Sequence, residues 1–431
     1  MRDPQHKLRT LSLISMLHAF THVYQVALLP LYLPIQKGFR LENLGSSTFL
    51  VTLLMLAYFI PSYPMGVLAD RVSRKKLLAF GLAINALGFL GLAWAPNYSV
   101  ALAAMVVAGF GGSFFHPAAT ALIAGLFPTG TGRALGIIGI GAGAGFFLGP
   151  IYAGWRASQS GNWRTPVLEL GLLGLLAAAV FYWLAVEIPS TRVADQVERS
   201  AGQARGRLFG TFRAGAFFVA AAFAFSLRDF AGSSMGSLGS LFLQQAHGFS
   251  VDDTGRALSG IFLASVISNP LFGHLSDRGR KRWTCLVHAV AAVLIILVPH
   301  LPGGRSHLFF LLFMAYGFFF MASYPMVEAA VMGVVAESAR GRAFGLWITI
   351  GGLTGSLSHW LAGRWVEGLG PLAMFRESYY GFYVVLACLL LVSLIGLFWL
   401  EGAGRYRTPA PELAGSDTSC ARETMGAPPL K

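Results

Sequence analysis

The sequence predicts an all-α membrane protein with twelve transmembrane helices, arranged as two six-helix bundles of the same orientation in the bilayer. Apolar residues make up 55% of the chain and charged residues only 12%, and the apolar runs are about 20 residues long, enough to cross hydrocarbon. One signature, Gly66–Lys76, returns as Gly273–Arg282, and a second, Gly132–Gly136, returns as Gly341–Gly345. The paired copies are 207 and 209 residues apart. This nearly constant offset indicates a tandem duplication.

Apolar runs with their flanking turn and charge signals delimit the helices. The first six are predicted near 10–34, 47–69, 77–95, 99–127, 134–155 and 166–187, and the second six near 214–243, 254–275, 283–301, 306–335, 343–366 and 379–400. The bundles therefore span 1–188 and 213–401. A cytoplasmic linker at 189–212 joins them, and we expect the polar tail, 402–431, to be disordered.

Basic residues are unevenly distributed among the loops. Most lie on the side of both termini, as in Arg71–Lys76 and Arg278–Arg282, and few, such as Lys37, lie on the other side. This asymmetry predicts a multi-pass protein of the bacterial inner membrane with cytoplasmic termini. The net charge of +13 does not indicate nucleic-acid binding, because the basic residues stand in short loops between apolar runs.

Motifs for cofactor chemistry are missing from the sequence. Cys285, Cys388 and Cys420 have no metal or redox spacing, and no G-x-x-x-x-G-K loop for nucleotide phosphates occurs. No nucleophile–base pair suggests itself either. We therefore expect no cofactor, no drive by ATP and no enzymatic activity.

The repeated signature resembles the loop motif of the major facilitator superfamily, G-x-L-A-D-R-x-G-R-K, which follows helices 2 and 8. Ser73 stands where that motif has glycine. Helix 5 carries a pattern similar to the motif of antiporters in that superfamily, at Gly136, Gly145, Gly149, Pro150 and Gly154. The resemblance covers about 400 residues and implies the major facilitator fold. A four-residue spacing of glycines in helix 5 also predicts close approach of another helix, and Pro150 predicts a bend.

A finer resemblance is to the fosmidomycin-resistance branch of efflux proteins. It is carried by Ser113–Pro117, His18 and Leu227-Arg228. That branch carries an Asn-Asp pair in helix 1, where this chain has Thr21-His22. An imidazole thus replaces a carboxylate, and the proton-carrying role of the family's aspartate is not transferred to this position.

The repeated loop signature predicts a cytoplasmic gate. In one interpretation Asp70 and Asp277 pair with arginines in one state and release them in another; in the alternative the loops only anchor the chain by positive charge. The gate residues are Gly66, Asp70, Arg71, Arg133, Gly273, Asp277, Arg278 and Arg342.

Polar residues inside the apolar helices predict a midplane cavity among helices 1, 4, 7 and 10. They are His18, His22, Gln25, His116, Arg228, Asp229 and Glu328. Arg228 suits an anionic substrate group or an internal acid. We expect a pair with Asp229 to be awkward, because adjacent helical residues point about 100° apart. Glu328 either carries a proton or is neutralised by an internal cation.

The histidines of helices 1 and 4 have several interpretations. The stripe formed by His18, Thr21, His22 and Gln25 either contacts substrate and protons or bonds neighbouring helices. His116 either belongs to the cavity or caps backbone groups freed by Pro117. No third ligand suggests itself beside His18 and His22, so we expect no metal site.

Two parallel halves around a central cavity are typical of a transporter that rocks between two states. Resemblance to antiporters implies proton-coupled export of a small organic molecule, and proton-coupled uptake of a small organic anion is the alternative. The expected partners are a small-molecule substrate, protons and the lipid bilayer. We expect a monomer.

Overall fold

The computed structural model describes residues 4–127, 129–187, 208–335 and 340–405, without the side chains of Pro4, Tyr63 and Asp70. These residues are almost entirely helical and contain no strand. The gate carboxylate of Asp70 therefore lies outside the described part of the chain. The same holds for most of the predicted linker and most of the predicted tail.

Six helices make up the described residues of the first half, and three of them are interrupted. Helix 1 comprises Pro4–Val26 and Tyr32–Phe39, helix 2 Leu44–Phe59 and Ser62–Arg71, and helix 3 Arg74–Trp94. Helix 4 comprises Tyr98–Gly112 and Phe115–Leu126, helix 5 Thr131–Ser160 and helix 6 Arg164–Leu184.

The second half repeats this count within its described residues. Helix 7 is Phe212–Gln245, helix 8 comprises Val251–Leu263 and Ser265–Ser276, and helix 9 is Arg280–Leu297. Helix 10 is Ser306–Val334, helix 11 Arg340–Leu369, and helix 12 comprises Tyr380–Val392 and Ile395–Arg405. Ten of these twelve helices are long and apolar enough to cross a membrane. The predicted count of twelve helices is confirmed.

Prolines lie at some of the interruptions but not at all of them. Helix 1 passes through a 3-10 turn, Leu29–Leu31, that contains Pro30. Helix 8, in contrast, is interrupted at Ala264, six residues before Pro270. Helix 5 and helix 10 remain continuous through Pro150 and Pro325. A proline removes one backbone hydrogen bond, and the packing of neighbouring helices tolerates that loss in a membrane.

The two halves touch on the side opposite the termini, where helices 1 and 7 end. The hydroxyl groups of Tyr32 and Ser237 share a hydrogen bond of 2.7 Å. One turn further on, Ser240 Oγ donates to the carbonyl of Leu29 at 2.5 Å. The backbone N–H of Gly45, at the start of helix 2, donates to Glu367 at the end of helix 11 (3.1 Å). These contacts close the opposite side.

On the side of the termini several glycines of the described helices border open space. A Cβ added to Gly136, Gly273, Gly333 or Gly345 would meet no described atom within 4 Å. These glycines lie near the terminus-side ends of helices 5, 8, 10 and 11. The hydrogen bonds between the halves named above lie on the other side, and we call the side of these four glycines the open side.

Candidate functional site

The glycines of helix 5 pack along helix 1. A Cβ on Gly141 would collide with the carbonyl oxygen of Ser15, and one on Gly145 with that of Ala19. One turn on, a Cβ on Gly149 would lie 3.3 Å from the backbone of Val23. Only glycine permits two helix backbones to approach this closely. Helix 5 therefore holds the polar stripe of helix 1 in position.

Two histidines of that stripe face each other through their Nε2 atoms, which lie 3.0 Å apart. His18 Nδ1 lies 2.7 Å from the carbonyl oxygen of Ile138 on helix 5. His22 Nδ1 lies 2.8 Å from the side-chain oxygen of Gln25. Both histidines are buried. Each ring is thus held by an oxygen acceptor on the nitrogen remote from its partner.

His116 of helix 4 joins this pair. Its ring centroid lies 5.2 Å from that of His18 and 5.9 Å from that of His22. One ligand nitrogen from each of the three rings lies within 4.8 Å of the others, and His116 is exposed. The expectation that His18 and His22 lack a third partner was wrong, because the break in helix 4 brings a residue from far along the chain beside them.

Aromatic rings hold this cluster and place it at the boundary between the halves. Phe115 stacks on His18 at 4.6 Å, and Phe146 stacks on His22 at 4.1 Å. Phe146 also stacks at 4.8 Å on Phe262 of the second half. The three histidines therefore lie next to the surface along which the halves meet.

The second half carries a charged cluster centred on Arg228. Its Nη2 and Nε donate to Asp229 Oδ1 at 2.8 and 3.1 Å. The expectation that this pair is awkward was wrong, because the long arginine stem folds back over the neighbouring residue. The ring of Tyr324 lies beneath the guanidinium, 4.0 Å from its centre. Arg228 is 2% exposed and Asp229 17%.

Glu328 completes the cluster from helix 10, one turn after Tyr324. It interacts electrostatically with both Arg228 and Asp229 and is partly buried. The cluster thus combines one guanidinium with two carboxyl groups, and Arg228 Nη1 is buried without a hydrogen-bond partner among the described residues. A single cation balances a single carboxylate. The cluster as a whole is therefore neutral only when the second carboxyl group carries a proton.

Two residues of this cluster are not apparent from the sequence. Tyr324 precedes Glu328 by four residues, so the two lie on one face of helix 10, a spacing that identifies it in retrospect. Gly351 of helix 11 lies against the carboxylate of Asp229, and a Cβ there would collide with Oδ2. Only the packing of helix 7 on helix 11 shows this contact.

The predicted gate residues surround the open side. Gly66 faces Pro117, with 3.8 Å between a built Cβ and the proline ring. Arg71, Arg133, Asp277 and Arg278 are exposed. Asp277 forms no ion pair with any described residue. Arg342 lies partly buried at the start of helix 11.

Arg74, which the sequence assigns only to charge anchoring, has a structural contact. Its Nη1 donates to the carbonyl of Ala121 on helix 4 at 2.9 Å. The loop between helices 2 and 3 is therefore tied to the terminus-side part of helix 4, the helix that also carries His116.

The remaining residues of the helix 5 pattern lie at its two ends. Near the closed end, a Cβ on Gly154 would lie 2.5 Å from the carbonyl oxygen of Val251 on helix 8, and Gly255 packs on the carbonyl of Pro150. Gly136, at the other end, borders open space. The pattern thus runs from the closed contact between the halves to the open side.

Comparison with known proteins finds one matching family and several similar proteins. The family model described as Major Facilitator Superfamily matches residues 11–250 and again 218–422. Multidrug resistance protein 2 of Bacillus subtilis (strain 168) is 24% identical over 316 residues, covering 70% of this chain and 76% of that protein. Quinolone resistance protein NorA of Staphylococcus aureus is 31% identical over 153 residues, covering 35% and 38%.

Solved structures share the fold at low identity. A bacterial homologue of the human lysosomal transporter Spinster, inward-facing and unoccupied, superposes with a TM-score of 0.73 at 17% identity, covering 95% of this chain and 100% of that one. A peptide transporter POT in complex with sulfate gives 0.70 at 16% identity, covering 93% and 95%. The family is one of transporters, not enzymes. Because the family model matches both halves over nearly the whole described chain, this multi-pass membrane protein belongs to the Major Facilitator Superfamily.

Proposed function

We propose that this protein exports a small organic molecule in exchange for protons, by alternating access to the space between its halves. Relatives named for multidrug and quinolone resistance support export. The excess of basic residues on the terminus side supports cytoplasmic termini in a bacterial inner membrane. With that orientation, the described conformation opens to the cytoplasm and is ready to receive cytoplasmic substrate.

The charged cluster of the second half supports proton coupling. One buried guanidinium stands with two carboxyl groups, and Asp229 and Glu328 are the more exposed members. A charge left uncompensated in the membrane is costly. A proton on Glu328 makes the cluster neutral, and its loss to the cytoplasm restores a site that attracts the next proton from outside.

The gate motif supports alternation between the two states. Asp277 and Arg278 are exposed in the described conformation. We propose that Asp70 and Asp277 pair with arginines of the gate, including Arg133 and Arg342, when that side closes. The pairs would hold the cytoplasmic side shut while the opposite side releases substrate.

The alternative, proton-coupled uptake of a small organic anion, rests on one atom. Arg228 Nη1 is buried without a hydrogen-bond partner among the described residues, and a guanidinium donor suits a carboxylate or phosphonate oxygen. In this alternative, substrate and proton enter the cell together instead of in opposite directions.

Proteoliposomes loaded with a pH-sensitive dye distinguish the two. For export, ethidium added to the side from which it is carried away causes protons to move against it; for uptake, the phosphonate fosmidomycin and protons move together. We expect Glu328→Gln to abolish accumulation driven by a pH gradient while exchange of labelled for unlabelled substrate continues. Glu377→Gln is the matched control, because Glu377 pairs with Arg376 in an exposed loop. Normal pH-driven accumulation by Glu328→Gln would overturn the assignment of the proton site.

A further inference from the structure

We propose that His18, His22 and His116 bind one divalent transition-metal ion of the zinc class. The three residues come from helices 1 and 4 of the first half, and each offers a ligand nitrogen within 4.8 Å of the others. This site is separate from the charged cluster of the second half. It does not depend on the direction or the coupling of transport.

The hydrogen bonds of the two buried rings determine which nitrogen is free. His18 Nδ1 faces a backbone carbonyl oxygen, that of Ile138, so it must carry the hydrogen and donate it. His22 Nδ1 lies 2.8 Å from Gln25 Oε1, and the tautomer that donates to this oxygen leaves His22 Nε2 with a lone pair. In that tautomer, the Nε2 atoms of both neutral rings carry lone pairs. These atoms lie 3.0 Å apart, so they repel each other unless a metal ion or a proton lies between them.

The spacing suits a tetrahedral metal. With Zn–N bonds of about 2.0–2.1 Å, two ligand nitrogens lie about 3.3 Å apart, close to the separation of His18 and His22 Nε2. His116 is at most 4.8 Å away, so side-chain rotation that moves its nitrogen by roughly 1.5 Å completes a three-histidine set. The exposed His116 leaves the fourth position accessible to water or to an anionic group.

The surroundings of the three histidines resemble those of metal sites in proteins. Histidine ligands characteristically donate their second N–H to a carbonyl or carboxylate oxygen, as His18 does to Ile138, and Gln25 offers its side-chain oxygen to His22 Nδ1. Phe115 and Phe146 stack on the two rings and restrict their rotation. Helix 5 therefore provides both a hydrogen-bond acceptor and a stacking ring. A shared proton is the competing occupant of the gap between the two Nε2 atoms.

The test is direct metal binding by the purified full-length protein, without any transport step. The protein carries a purification tag free of histidine, is treated with a chelator, and is titrated with Co²⁺ and then Zn²⁺. We expect one Co²⁺ per chain with the visible absorption of tetrahedral cobalt, displaced by Zn²⁺ in calorimetry. His116→Ala should abolish the tetrahedral spectrum, and Gln25→Ala should weaken binding by about 10–100-fold, as losses of outer-shell partners do.

Two controls separate this site from incidental binding. His288→Ala removes a buried histidine of helix 9, and His307→Ala removes an exposed histidine at the start of helix 10; neither belongs to the cluster. Both should bind Co²⁺ like the unchanged protein. Circular dichroism and gel filtration establish that His116→Ala is folded. Absence of saturable Co²⁺ and Zn²⁺ binding, or binding that survives His116→Ala, would overturn the proposal, the first outcome favouring a shared proton.

Discussion

The hydroxyl group of Thr52 on helix 2 donates to the carbonyl of Ser356 on helix 11 at 2.9 Å. The hydroxyl oxygen of Thr52 also accepts a hydrogen bond from the backbone N–H of Trp360 at 3.0 Å. Thr52 thus bridges two backbone groups one turn apart in the other half of the protein. Because it lies towards the closed side, this contact must break when that side opens.

We expect Thr52→Val to favour opening of that side. The change keeps the shape of the side chain and removes both hydrogen bonds, each worth about 1 kcal/mol, so the ratio of open to closed molecules should rise about fivefold or more. Distances between spin labels on the ends of helices 2 and 11 measure the shift. Thr254→Val is the control, because the buried hydroxyl of Thr254 has no partner among the described residues. Equal distance distributions for both variants would contradict the prediction.

The contact between helices 1 and 5 predicts a large difference between two glycines of one helix. Gly145→Ala places a methyl group against the carbonyl of Ala19, whereas Gly139→Ala points into open space. Overpacking typically costs about 1–3 kcal/mol, so we expect a lower melting temperature and less transport for Gly145→Ala. Gly139→Ala should be neutral or slightly stabilising, since alanine favours helix by about 1 kcal/mol over glycine. Similar melting temperatures would argue against the close contact.

Gly351 provides a test of the charged cluster that leaves its charges intact. A methyl group in Gly351→Ala would collide with the carboxylate of Asp229, whereas Gly345→Ala on the same helix meets no described atom within 4 Å. We expect Gly351→Ala to reduce transport driven by a pH gradient at least tenfold with little loss of helical content. Transport by Gly345→Ala should stay within twofold of the unchanged protein. Unimpaired transport in Gly351→Ala would show that the position of Asp229 is unimportant.

The pair of Arg228 and Asp229 predicts a rescue. Arg228→Met leaves the partly buried carboxylate of Asp229 without its cation, and loss of one partner of a buried ion pair typically costs about 3–5 kcal/mol. We expect a marked fall in melting temperature. The double variant Arg228→Met/Asp229→Asn removes both charges and should recover at least half of that fall. A double variant as unstable as the single one would mean that Arg228 acts by packing alone.

Much of the fold follows from the sequence, because it depends on composition and period. Runs of about 20 apolar residues must become helices in a bilayer, since every backbone polar group needs an internal partner. The repeated Gly66–Lys76 signature indicates two related halves. The sequence predicts helix ends such as Arg405 less accurately, because the last turn of a helix depends on its neighbours in space.

The sites were predicted only as sets of polar residues. His18, His22, Arg228 and Glu328 stand out because polar groups are rare in apolar helices. His116 and Asp229 were predicted in the same set, but their contacts were not: His116 lies beside His18, and Arg228 pairs with Asp229, its neighbour in the chain.

The sequence alone therefore determined the membrane location, the number of helices, the duplication and the family resemblance. These are properties of local hydrophobicity and repetition, which act along the chain. Tertiary structure alone decided that His18, His22 and His116 converge and that Asp229 rests on Gly351. It also decided that the halves meet on the side away from the termini. Such contacts join residues remote in the chain, and they depend on how closely helices pack, a quantity that no local pattern encodes.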